Sequence, residues 1–536
     1  MLEGSPFQPW VPERILLERA GLLFVDKPSG IPTHGGHADV AEDVVRRLAL
    51  VLERRGEDPY LGVHQRLDQG TSGVLVFVRD AALNAAVKDC FETDRVLKRY
   101  VAAVELQDGS PLWRRERLTL SHRLELVDGR QREVARGGKP CLAECRVLRR
   151  VGCRALVALE PKTGRTHQLR AQLALVHAPI AGDDLYGSVR APRLLLHAQS
   201  LQLVGLAPAV QSEVPSLFEG WIEGRAEGLG DARELERKLA DAASRRFPLV
   251  QRTQALRWVN SAADALPGLE IDWYDGYVTL SPSTEEATER VPEIASLLLQ
   301  AGARGVYLKQ RARADLRRLD ASELAPPVPI VGEAAPESFD VREESWRIAV
   351  QLADGLSTGL FLDQRENREF LRQRVAGQEV LNLFAYTGSF SVAAALGGAR
   401  RVTTVDLSKR AVERARRNFE LNGLPLESHR FFAEDAVRFL DRAARRGDTY
   451  DWVVLDPPSF ASNKSGKVLS VARDYAELVA RCVRVLGPGG NLLAVTNHRG
   501  TRPEALRSML ADVARREGRT IEKLKSLASA LDFPPT

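Results

Sequence analysis

The chain has 536 residues, of which 44% are hydrophobic and 27% are charged, and this composition is typical of a folded protein with about three domains. Its formal net charge of +5 is too small to indicate a nucleic-acid partner by itself. Five cysteines cannot form a disulfide framework in so long a chain, no apolar run is long enough to cross a bilayer, and the first residues lack a signal-peptide pattern. These observations argue against the secreted and membrane classes and predict a cytoplasmic protein.

The N-terminal part is rich in short apolar segments that lie between turn signals. A hairpin is predicted from Cys145 to Leu159. Many strands with few helices predict an α+β domain with a mixed or antiparallel sheet, which we place at residues 1–222. Charges at helical spacing from 231 to 246 predict a linker helix, within a linker of residues 223–248. The other predicted strands of this part are 22–25, 74–78, 100–104 and 194–203.

The rest of the chain divides into two predicted parts. Residues 249–345 alternate short strands with one helix and are predicted to form a small α/β middle domain. From Glu379 onward, strands alternate with helical stretches in the rhythm of a doubly wound parallel sheet. Residues 346–536 are therefore predicted to form a Rossmann-like α/β domain. Its predicted strands are 379–383, 401–406, 430–433, 451–456 and 491–495.

Three N-terminal segments supply an aspartate, an arginine and a tyrosine. Asp68 lies in HQRLDQGTSG, a run of turn formers before a strand, where a scaffold can hold a reactive carboxylate still. Arg165 in PKTGRTHQLRAQL is predicted to open a helix and to face Asp68, which favours the ionised carboxylate. Tyr100 lies on the strand VLKRYVAAV. Each residue alone has an ordinary explanation as a turn, surface or core residue, so the hypothesis depends on the combination.

These segments, together with FVDKPSGIPTHGG, GKPCLAE and LLLHA, resemble the RluA-type family of bacterial ribosomal RNA pseudouridine synthases over about residues 24–213. The resemblance implies that this domain isomerises uridine to pseudouridine without a cofactor or a metal. It also implies that Asp68 is the catalytic carboxylate and that Tyr100 and Arg165 are the active-site tyrosine and arginine. Attack on the base or on the sugar stays open, and so does the choice between ribosomal and transfer RNA.

A second constellation follows the first predicted strand of the C-terminal part, in LNLFAYTGSFS. Gly388 precedes Asp406, at the end of the next strand, by 18 positions, close to the roughly 20 expected between a cofactor loop and its ribose-binding acid. Gly388 lacks the neighbouring glycines of G-x-G-x-x-G, so the loop offers no pyrophosphate cradle. The pattern disfavours a nicotinamide-dependent oxidoreductase and permits S-adenosylmethionine.

The string DWVVLDPPSF supplies candidate groups for a target base. Asp456 ends a strand, and Pro457 and Pro458 lack N–H groups and fix the turn, so that it presents acceptors to a flat base. Phe460 can stack on such a base. The tripeptide D-P-P alone is often only the end of a strand, so this interpretation depends on the order of the motifs.

With STGLFLDQRENREFL and EDAVRFL, this half resembles the RlmK/RlmI-type class I methyltransferases of large-subunit rRNA over about residues 256–531. The resemblance implies S-adenosylmethionine as cofactor and RNA as substrate. It places Asp456, Pro457 and Pro458 at the target base, where Phe460 is predicted to stack. Asp456 is predicted to be both a catalytic and a cofactor-binding residue. The residues that it implies around the cofactor are Gln364, Arg365, Phe384, Tyr386, Gly388, Asp406, Asp435 and Asp456.

The cysteines bear on which atom is methylated. Methylation of cytosine carbon 5 needs a thiolate that adds to carbon 6, and in the cytosine-modifying branch it follows the fifth strand. Here that place holds Asn497, His498 and Arg499, and Cys482 in the preceding helix is predicted to be a packing residue. The string instead resembles the guanine-N7 branch, and this nitrogen is already a nucleophile that needs no covalent help. The resemblance therefore favours a purine, with guanine N7 first and cytosine carbon 5 as the alternative.

The two resemblances together predict a bifunctional enzyme of large-subunit rRNA or of an assembly intermediate, with no metal, no membrane and no inferred protein partner. Two target bases that lie close together would benefit from a fusion, because binding by one domain raises the effective concentration of the other. The alternative is that one half has lost catalysis and serves as an RNA-binding platform. The intact acids Asp68, Asp406 and Asp456 weigh against this alternative.

Overall fold

The computed structural model describes most of the chain. Asn497, His498 and Arg499 lie outside the described residues, and only the backbone of Phe460 is described. Within the described part, no helix combines the length and the apolar character that a bilayer span requires. The described residues are 4–35, 43–93, 95–187, 189–225, 228–310, 325–458, 460–462, 468–496 and 502–534.

A ten-stranded mixed sheet forms the N-terminal part, as the strand-rich sequence predicts. Its order is β1-β2-β3-β9-β4-β8-β7-β5-β6, with β10 paired to β9, and β3 and β9 run parallel. Alternate residues of β3 enter cores on opposite faces of the sheet, so this strand is buried along its whole length. The strands are β1 (Ile15–Arg19), β2 (Leu22–Lys27), β3 (Ser72–Val78), β4 (Val96–Glu105), β5 (Arg117–Val127), β6 (Arg130–Glu133), β7 (Lys139–Val151), β8 (Arg154–Pro161), β9 (Leu196–Leu203) and β10 (Ala207–Gln211).

Four short helices accompany this sheet among the residues that the structure describes. The first is capped by Asp43, whose side chain accepts the backbone N–H of Arg46. The third lies against the β5–β7 end of the sheet, where Leu169 and Leu173 join the same apolar core as Leu120. The helices are α1 (Val44–Arg54), α2 (Asn84–Glu92), α3 (Gln168–Leu175) and α4 (Ser216–Ile222).

The helix predicted as a linker is present as α5 (Ala232–Arg246). Its residues Leu235, Leu239 and Ala242 are buried with Trp258 in the core of the middle sheet. The helix is therefore packed along its length instead of forming a free connector, because its apolar stripe faces that sheet.

The middle part is a five-stranded sheet followed by a separate hairpin. The sheet carries two helices among the described residues, where the sequence predicted one. The hairpin spans the predicted domain boundary at 345/346, and five registered residue pairs join its strands. We propose to keep the whole hairpin in one domain. The elements are β11 (Ala255–Asn260), β12 (Leu269–Tyr274), β13 (Tyr277–Pro282), α6 (Glu285–Glu289), α7 (Val291–Gln300), β14 (Gly305–Leu308), β15 (Val331–Gly332), β16 (Phe339–Glu343) and β17 (Trp346–Val350).

The C-terminal part contains a parallel five-stranded sheet of order β20-β19-β18-β21-β24, which confirms the predicted Rossmann-like class. The chain order reverses between β18 and β21, and ligands bind such sheets at the carboxyl ends beside this point. The strands are β18 (Glu379–Leu383), β19 (Arg401–Asp406), β20 (Arg430–Ala433), β21 (Tyr450–Leu455), β22 (Phe460–Ser462), β23 (Val468–Ser470) and β24 (Leu486–Ala494). The helices are Arg365–Arg372, Ser389–Leu396, Lys409–Leu421, Ala436–Arg446, Val471–Arg484 and Pro503–Arg516.

Segments near both ends of the chain pack on the middle part. Phe7 contacts Trp258 and Trp273 edge-on, with ring centroids 5.5 and 5.2 Å away. The fully buried carboxylate of Asp532 accepts a hydrogen bond from the backbone N–H of Arg257 in β11 at 2.9 Å. Both contacts hold segments that are remote in sequence against the middle sheet.

Polar contacts also join the N-terminal sheet to α5. Arg14 forms ion pairs with Asp26 and with Asp241 of the helix. The buried Arg47 of α1 donates to the carbonyl of Ser244 at 2.7 Å. The N-terminal domain therefore rests directly on the middle part.

Candidate active sites

Asp68 lies in the loop before β3, and neighbouring groups fix the backbone of that loop. The carbonyl of Asp68 accepts the N–H of Thr71 at 3.0 Å. The carbonyl of Gln69 accepts the N–H of Gly30 at 2.8 Å and Lys27 Nζ at 3.1 Å. The Asp68 side chain is 26% exposed, so it is open to a substrate while its backbone is held in place.

The arginine that contacts Asp68 is Arg170, which corrects the prediction of Arg165. Arg170 Nη1 donates to Asp68 Oδ2 at 3.2 Å. Arg165 is exposed, and its backbone N–H donates to the Gln168 side chain. Helix α3 begins at Gln168, because His167 has a left-handed backbone with φ 52°. Arg170 consequently lies on the first turn of the helix, and the sequence motif alone could not distinguish the two arginines.

A second carboxylate fixes Arg170. Its Nε and Nη2 donate to the two oxygens of Asp183, both at 2.8 Å. Burial by itself would raise the pKa of Asp183, but hydrogen bonds and charge from Arg170, together with the N–H groups of Tyr186 and Leu185, hold this pKa below its ordinary value. The guanidinium therefore joins two carboxylates and directs its remaining nitrogen at Asp68.

Tyr186 completes this cluster, and the sequence analysis missed it. Its hydroxyl lies 3.3 Å from His167 Nδ1, and its ring centroid lies 5.3 Å from the guanidinium carbon of Arg170. His167 Nε2 lies 3.8 Å from Asp68 Oδ2. Burial lowers the pKa of His167 although the charge of Asp68 opposes this. The signal in the sequence was the turn GDDLYG, which supplies both Asp183 and Tyr186.

Tyr100 lies half-buried on β4, between β9 and β8. Burial, with a contribution from the negative charge of Asp68, raises the pKa of Tyr100 to about 12. Its phenol is therefore neutral at physiological pH. Such a ring can stack on a base, but it is a poor proton acceptor in this form.

The carboxyl ends of β18, β19 and β21 open into a cavity of about 570 Å³, a size typical of small-molecule sites. Pro457, predicted to face the target base, is buried and does not line this cavity. Most of the other predicted residues do line it. They are Gln364, Phe384, Tyr386, Asp406, Asp435, Asp456 and Pro458.

Backbone N–H groups orient two of the acids at this cavity. Asp406 Oδ2 accepts the N–H of Tyr386 at 2.8 Å, and its Oδ1 accepts the N–H of Ser408 at 2.9 Å. Asp435 Oδ1 accepts the N–H of Arg438 at 3.0 Å and caps the helix that follows. A carboxylate oxygen can accept more than one hydrogen bond, so these acids retain capacity for ligand hydroxyl or amino groups.

Gly388 has a structural role and does not line the cavity, in contrast to the prediction. Its φ is +76°, and a Cβ at this position would lie 2.7 Å from the Cβ of Ala415. Glycine therefore allows the loop to turn and lets the helix Ser389–Leu396 pack closely on the helix Lys409–Leu421.

Arg365 also departs from its predicted role at the cofactor. It is fully buried and paired with Asp532, whereas Gln364 and Arg368 line the cavity. Residues four apart on a helix share a face, but adjacent residues do not, so one motif can supply Gln364 and Arg368 and turn Arg365 away. Arg368 donates to both oxygens of Glu343, at 2.7 and 2.6 Å.

A further wall of the cavity comes from the helix Val471–Arg484, in which the sequence indicated no site residue. Asp474, Glu477 and Arg481 line the cavity, and Glu477 Oε1 accepts a hydrogen bond from Arg481 Nη1 at 2.6 Å. Charged residues three and four apart are ordinary on an exposed helix face, so no signal distinguished them.

The N-terminal mixed sheet thus carries a site in which an aspartate pairs with an arginine. The C-terminal parallel sheet carries an acid-lined cavity at the point where its strand order reverses, and enzymes with a nucleoside cofactor bind the cofactor at this point. The chain belongs to the family of S-adenosylmethionine-dependent methyltransferases, whose model matches residues 266–536. The model of RNA pseudouridylate synthases matches residues 21–175. The chain therefore combines a pseudouridine synthase with an S-adenosylmethionine-dependent methyltransferase, and its substrate is RNA.

Individual relatives cover the methyltransferase half. Ribosomal RNA large subunit methyltransferase I of Klebsiella pneumoniae (strain 342) is 33% identical over 316 residues, which are 59% of this chain and 78% of that protein. The crystal structure of SMU.776 complexed with SAH has a TM-score of 0.52 and 29% identity, and the match covers 63% of this chain and 83% of that one. A SAM-dependent methyltransferase from Streptococcus mutans has a TM-score of 0.50 and 31% identity, with 57% and 77% covered.

Proposed function

We propose that this protein modifies large-subunit ribosomal RNA twice, by isomerising one uridine to pseudouridine and by methylating one guanine at N7. One observation carries the proposal: a single chain holds both the Asp68–Arg170 pair and the cavity with Asp406 and Asp456, each with groups suited to its family's reaction. The name of the Klebsiella relative supports the large subunit as the source of the RNA. We accordingly place the protein in the cytoplasm, where bacterial ribosomes are made.

In the synthase half we assign catalysis to Asp68. Pseudouridine formation breaks the bond from uracil N1 to ribose C1′ and forms a bond from C5 to C1′, while C5 loses a proton and N1 gains one. The carboxylate of Asp68 acts either as nucleophile or as counter-charge to a cation at the sugar. Arg170, fixed by Asp183, holds the Asp68 carboxylate in one orientation. Tyr100 stacks on the uracil.

The cavity of the methyltransferase half fits S-adenosylmethionine in size and in donor set. This cofactor, when bound, supplies an activated methyl group. Asp406 would accept hydrogen bonds from its ribose hydroxyls, Asp435 would hold the adenine, and Phe384 and Tyr386 would enclose the methionine end. Because methyl transfer is an in-line displacement, these residues act by positioning the reactants and excluding water.

We assign Asp456 and Pro458 to the target base, which they present to the methyl group from the end of β21. Guanine N7 carries a free lone pair, and the cofactor, when bound, would supply the methyl group that this lone pair accepts. The nucleophile therefore needs no deprotonation and no covalent intermediate.

The cysteines support N7 over cytosine carbon 5. Cys482 is the one cysteine of the methyltransferase half, since Cys90, Cys141, Cys145 and Cys153 precede residue 222. Cys482 is fully buried in the core, and burial raises the pKa of its thiol. It therefore cannot serve as an accessible thiolate that adds to a cytosine ring.

The test is modification of large-subunit rRNA from a strain that lacks the gene, by purified protein with methyl-labelled S-adenosylmethionine. We expect pseudouridine and 7-methylguanosine in the nucleoside digest. Label in 5-methylcytidine would contradict the choice of N7, and the absence of both products would contradict the proposed substrate. Asp68→Asn and Asp456→Ala proteins serve as controls that each lose one product.

A further inference from the structure

We propose that Phe361 is the residue on which the target base of the RNA stacks during methylation. This inference rests on the proposed function of the methyltransferase half, and it adds a residue that binds the flat face of the base. Phe361 lies in the motif STGLFLDQR, from which the sequence analysis took only Gln364 and Arg365 as site residues.

Phe361 is an exposed aromatic residue that lines the cavity at the carboxyl ends of the parallel strands, and it is 47% exposed. The other exposed aromatic side chains among the described residues are Tyr60 and Trp113, and neither lines this cavity. The Tyr60 hydroxyl accepts a hydrogen bond from Asn84, and the Trp113 indole donates to the carbonyl of Gln107. A single exposed apolar residue is ordinary on a protein surface. An uncovered phenyl ring in a cavity lining is instead available to a flat ligand.

The residues on both sides of Phe361 hold its backbone in place. Leu360 and Leu362 are buried in a core that also contains Phe419. The carbonyl of Phe361 accepts a hydrogen bond from Nη1 of the fully buried Arg368 at 2.8 Å. The ring is therefore uncovered on a fixed backbone, as a binding surface that needs no rearrangement requires.

The segment of Phe361 is also fixed against the loop that follows β18. The hydroxyl of Thr387 donates to the carbonyl of Gly359. Gly359 has φ +109°, and a Cβ at this position would overlap the guanidinium of Arg414. The ring centroid of Phe361 lies 5.5 Å from that of Tyr386, at an angle of 51° between the rings. Phe361 is thus held at the same end of the cavity as Tyr386.

This position favours the target base over the adenine of the cofactor as the partner of Phe361. We placed Tyr386 at the methionine end of the cofactor and Asp435 at the adenine. The methyl group belongs to the methionine end, so the target base has to approach there. Asp456 and Pro458, which we assign to the target base, line the same cavity as Phe361. A base that leaves its RNA helix loses its stacked neighbours, and an aromatic side chain replaces one of them.

The experiment compares Phe361→Ala, Phe361→Leu and Phe361→Tyr in the full chain, with large-subunit rRNA and methyl-labelled S-adenosylmethionine. Leucine keeps the apolar character of the side chain but lacks the flat aromatic face. We expect kcat/KM for methylation to fall about 10–100-fold with alanine and with leucine, the range for one lost base stack, and to stay at the wild-type value with tyrosine. The affinity for S-adenosylmethionine, measured by calorimetry, should be unchanged in all three proteins.

Two further proteins serve as controls. Asp406→Asn shows that the calorimetry detects a weakened cofactor site. Leu421→Ala is the matched control, because Leu421 is an exposed apolar residue of the methyltransferase half that does not line the cavity. It should methylate the RNA at the wild-type rate, and pseudouridine formation should be unchanged in every Phe361 variant.

Wild-type methylation by the alanine or the leucine protein would overturn the proposal, and so would an equal loss in Leu421→Ala. A loss of cofactor affinity as large as that of Asp406→Asn would also overturn it, because Phe361 would then belong to the cofactor site. Wild-type protein that methylates no large-subunit rRNA would instead contradict the proposed function, so the two failures are distinguishable.

Discussion

The synthase site and the methyltransferase site fix their acids by different means. Asp68 is held through ion pairs between side chains from separate segments, with Arg170 between it and Asp183. Asp406 and Asp435 are held by backbone N–H groups of the residues that follow them or lie beside them. In the synthase site the reactive charge is the carboxylate of Asp68 itself. In the methyltransferase site the reactive group belongs to the cofactor, and the acids only have to position it.

The sharpest test of this difference is Asp68→Asn. We expect pseudouridine formation to fall by more than about 10³-fold, the order seen when a nucleophilic or charge-stabilising group is removed. Methylation should be unchanged, because the side-chain partners of Asp68, Arg170 and His167, belong to the synthase half. Rates of both reactions on one RNA check the prediction, and near wild-type isomerisation would remove Asp68 from the mechanism.

The pH dependence of stability should report on the synthase half through His197. His197 is buried on β9 with its Nδ1 3.0 Å from the Ser72 hydroxyl, and burial lowers the pKa of His197 to about 4. Between about pH 6.5 and pH 4 the unfolded chain binds this proton and the folded chain does not, so stability falls with pH by about 3 kcal/mol in all.

Urea unfolding of wild-type and His197→Gln proteins at pH 7 and pH 5 measures this contribution. The difference in free energy of unfolding between the two proteins should shrink at pH 5, because only the wild type loses stability through His197. An unchanged difference would show that His197 does not cause the pH dependence.

Arg170→Lys tests whether isomerisation needs the simultaneous contacts of the guanidinium with Asp68 and Asp183. Lysine keeps the charge but cannot contact Asp183 with two nitrogens and Asp68 with a third, so we expect kcat for isomerisation to fall about 10–100-fold. Arg165→Lys is the matched control and should leave kcat unchanged. A larger loss at Arg165 would return the active-site role to that residue.

Asp406→Asn should have the smallest effect. The amide keeps one acceptor oxygen, so we expect affinity for S-adenosylmethionine to fall about 10-fold, or about 1.4 kcal/mol. Titration calorimetry measures this, and isomerisation by the same protein is the internal control. Unchanged affinity would place the ribose elsewhere in the cavity.

The sequence predicted the fold well because strands and turns are encoded locally. The predicted strands 379–383, 401–406 and 430–433 coincide with β18, β19 and β20. The packing of α5 was not predictable in this way, since its contact with Trp258 depends on which face of the helix meets the sheet. The predicted domain boundary at 345/346 likewise divided the hairpin at 339–350, because strand pairing is not visible from composition.

Most site residues that follow a strand, such as Phe384, Asp406 and Asp456, line the cavity as expected, although Pro457 does not. Side-chain direction on helices was not predictable. Arg165 and Arg170 belong to one motif, and the left-handed residue His167 decides which of them reaches Asp68. Arg365 is turned away from the cavity while Gln364 faces it. Which side chain of a helix reaches a site therefore changes when the helix begins one residue earlier or later.

The most direct test of two independent active sites in one chain is a modification map of large-subunit rRNA by mass spectrometry, with carbodiimide labelling of pseudouridine. A deletion strain is compared with strains that carry the wild-type, Asp68→Asn or Asp456→Ala gene. We predict that deletion removes one pseudouridine and one methyl group, and that each variant restores only one of them. Loss of both marks in either variant, or of neither in the deletion strain, would contradict the account.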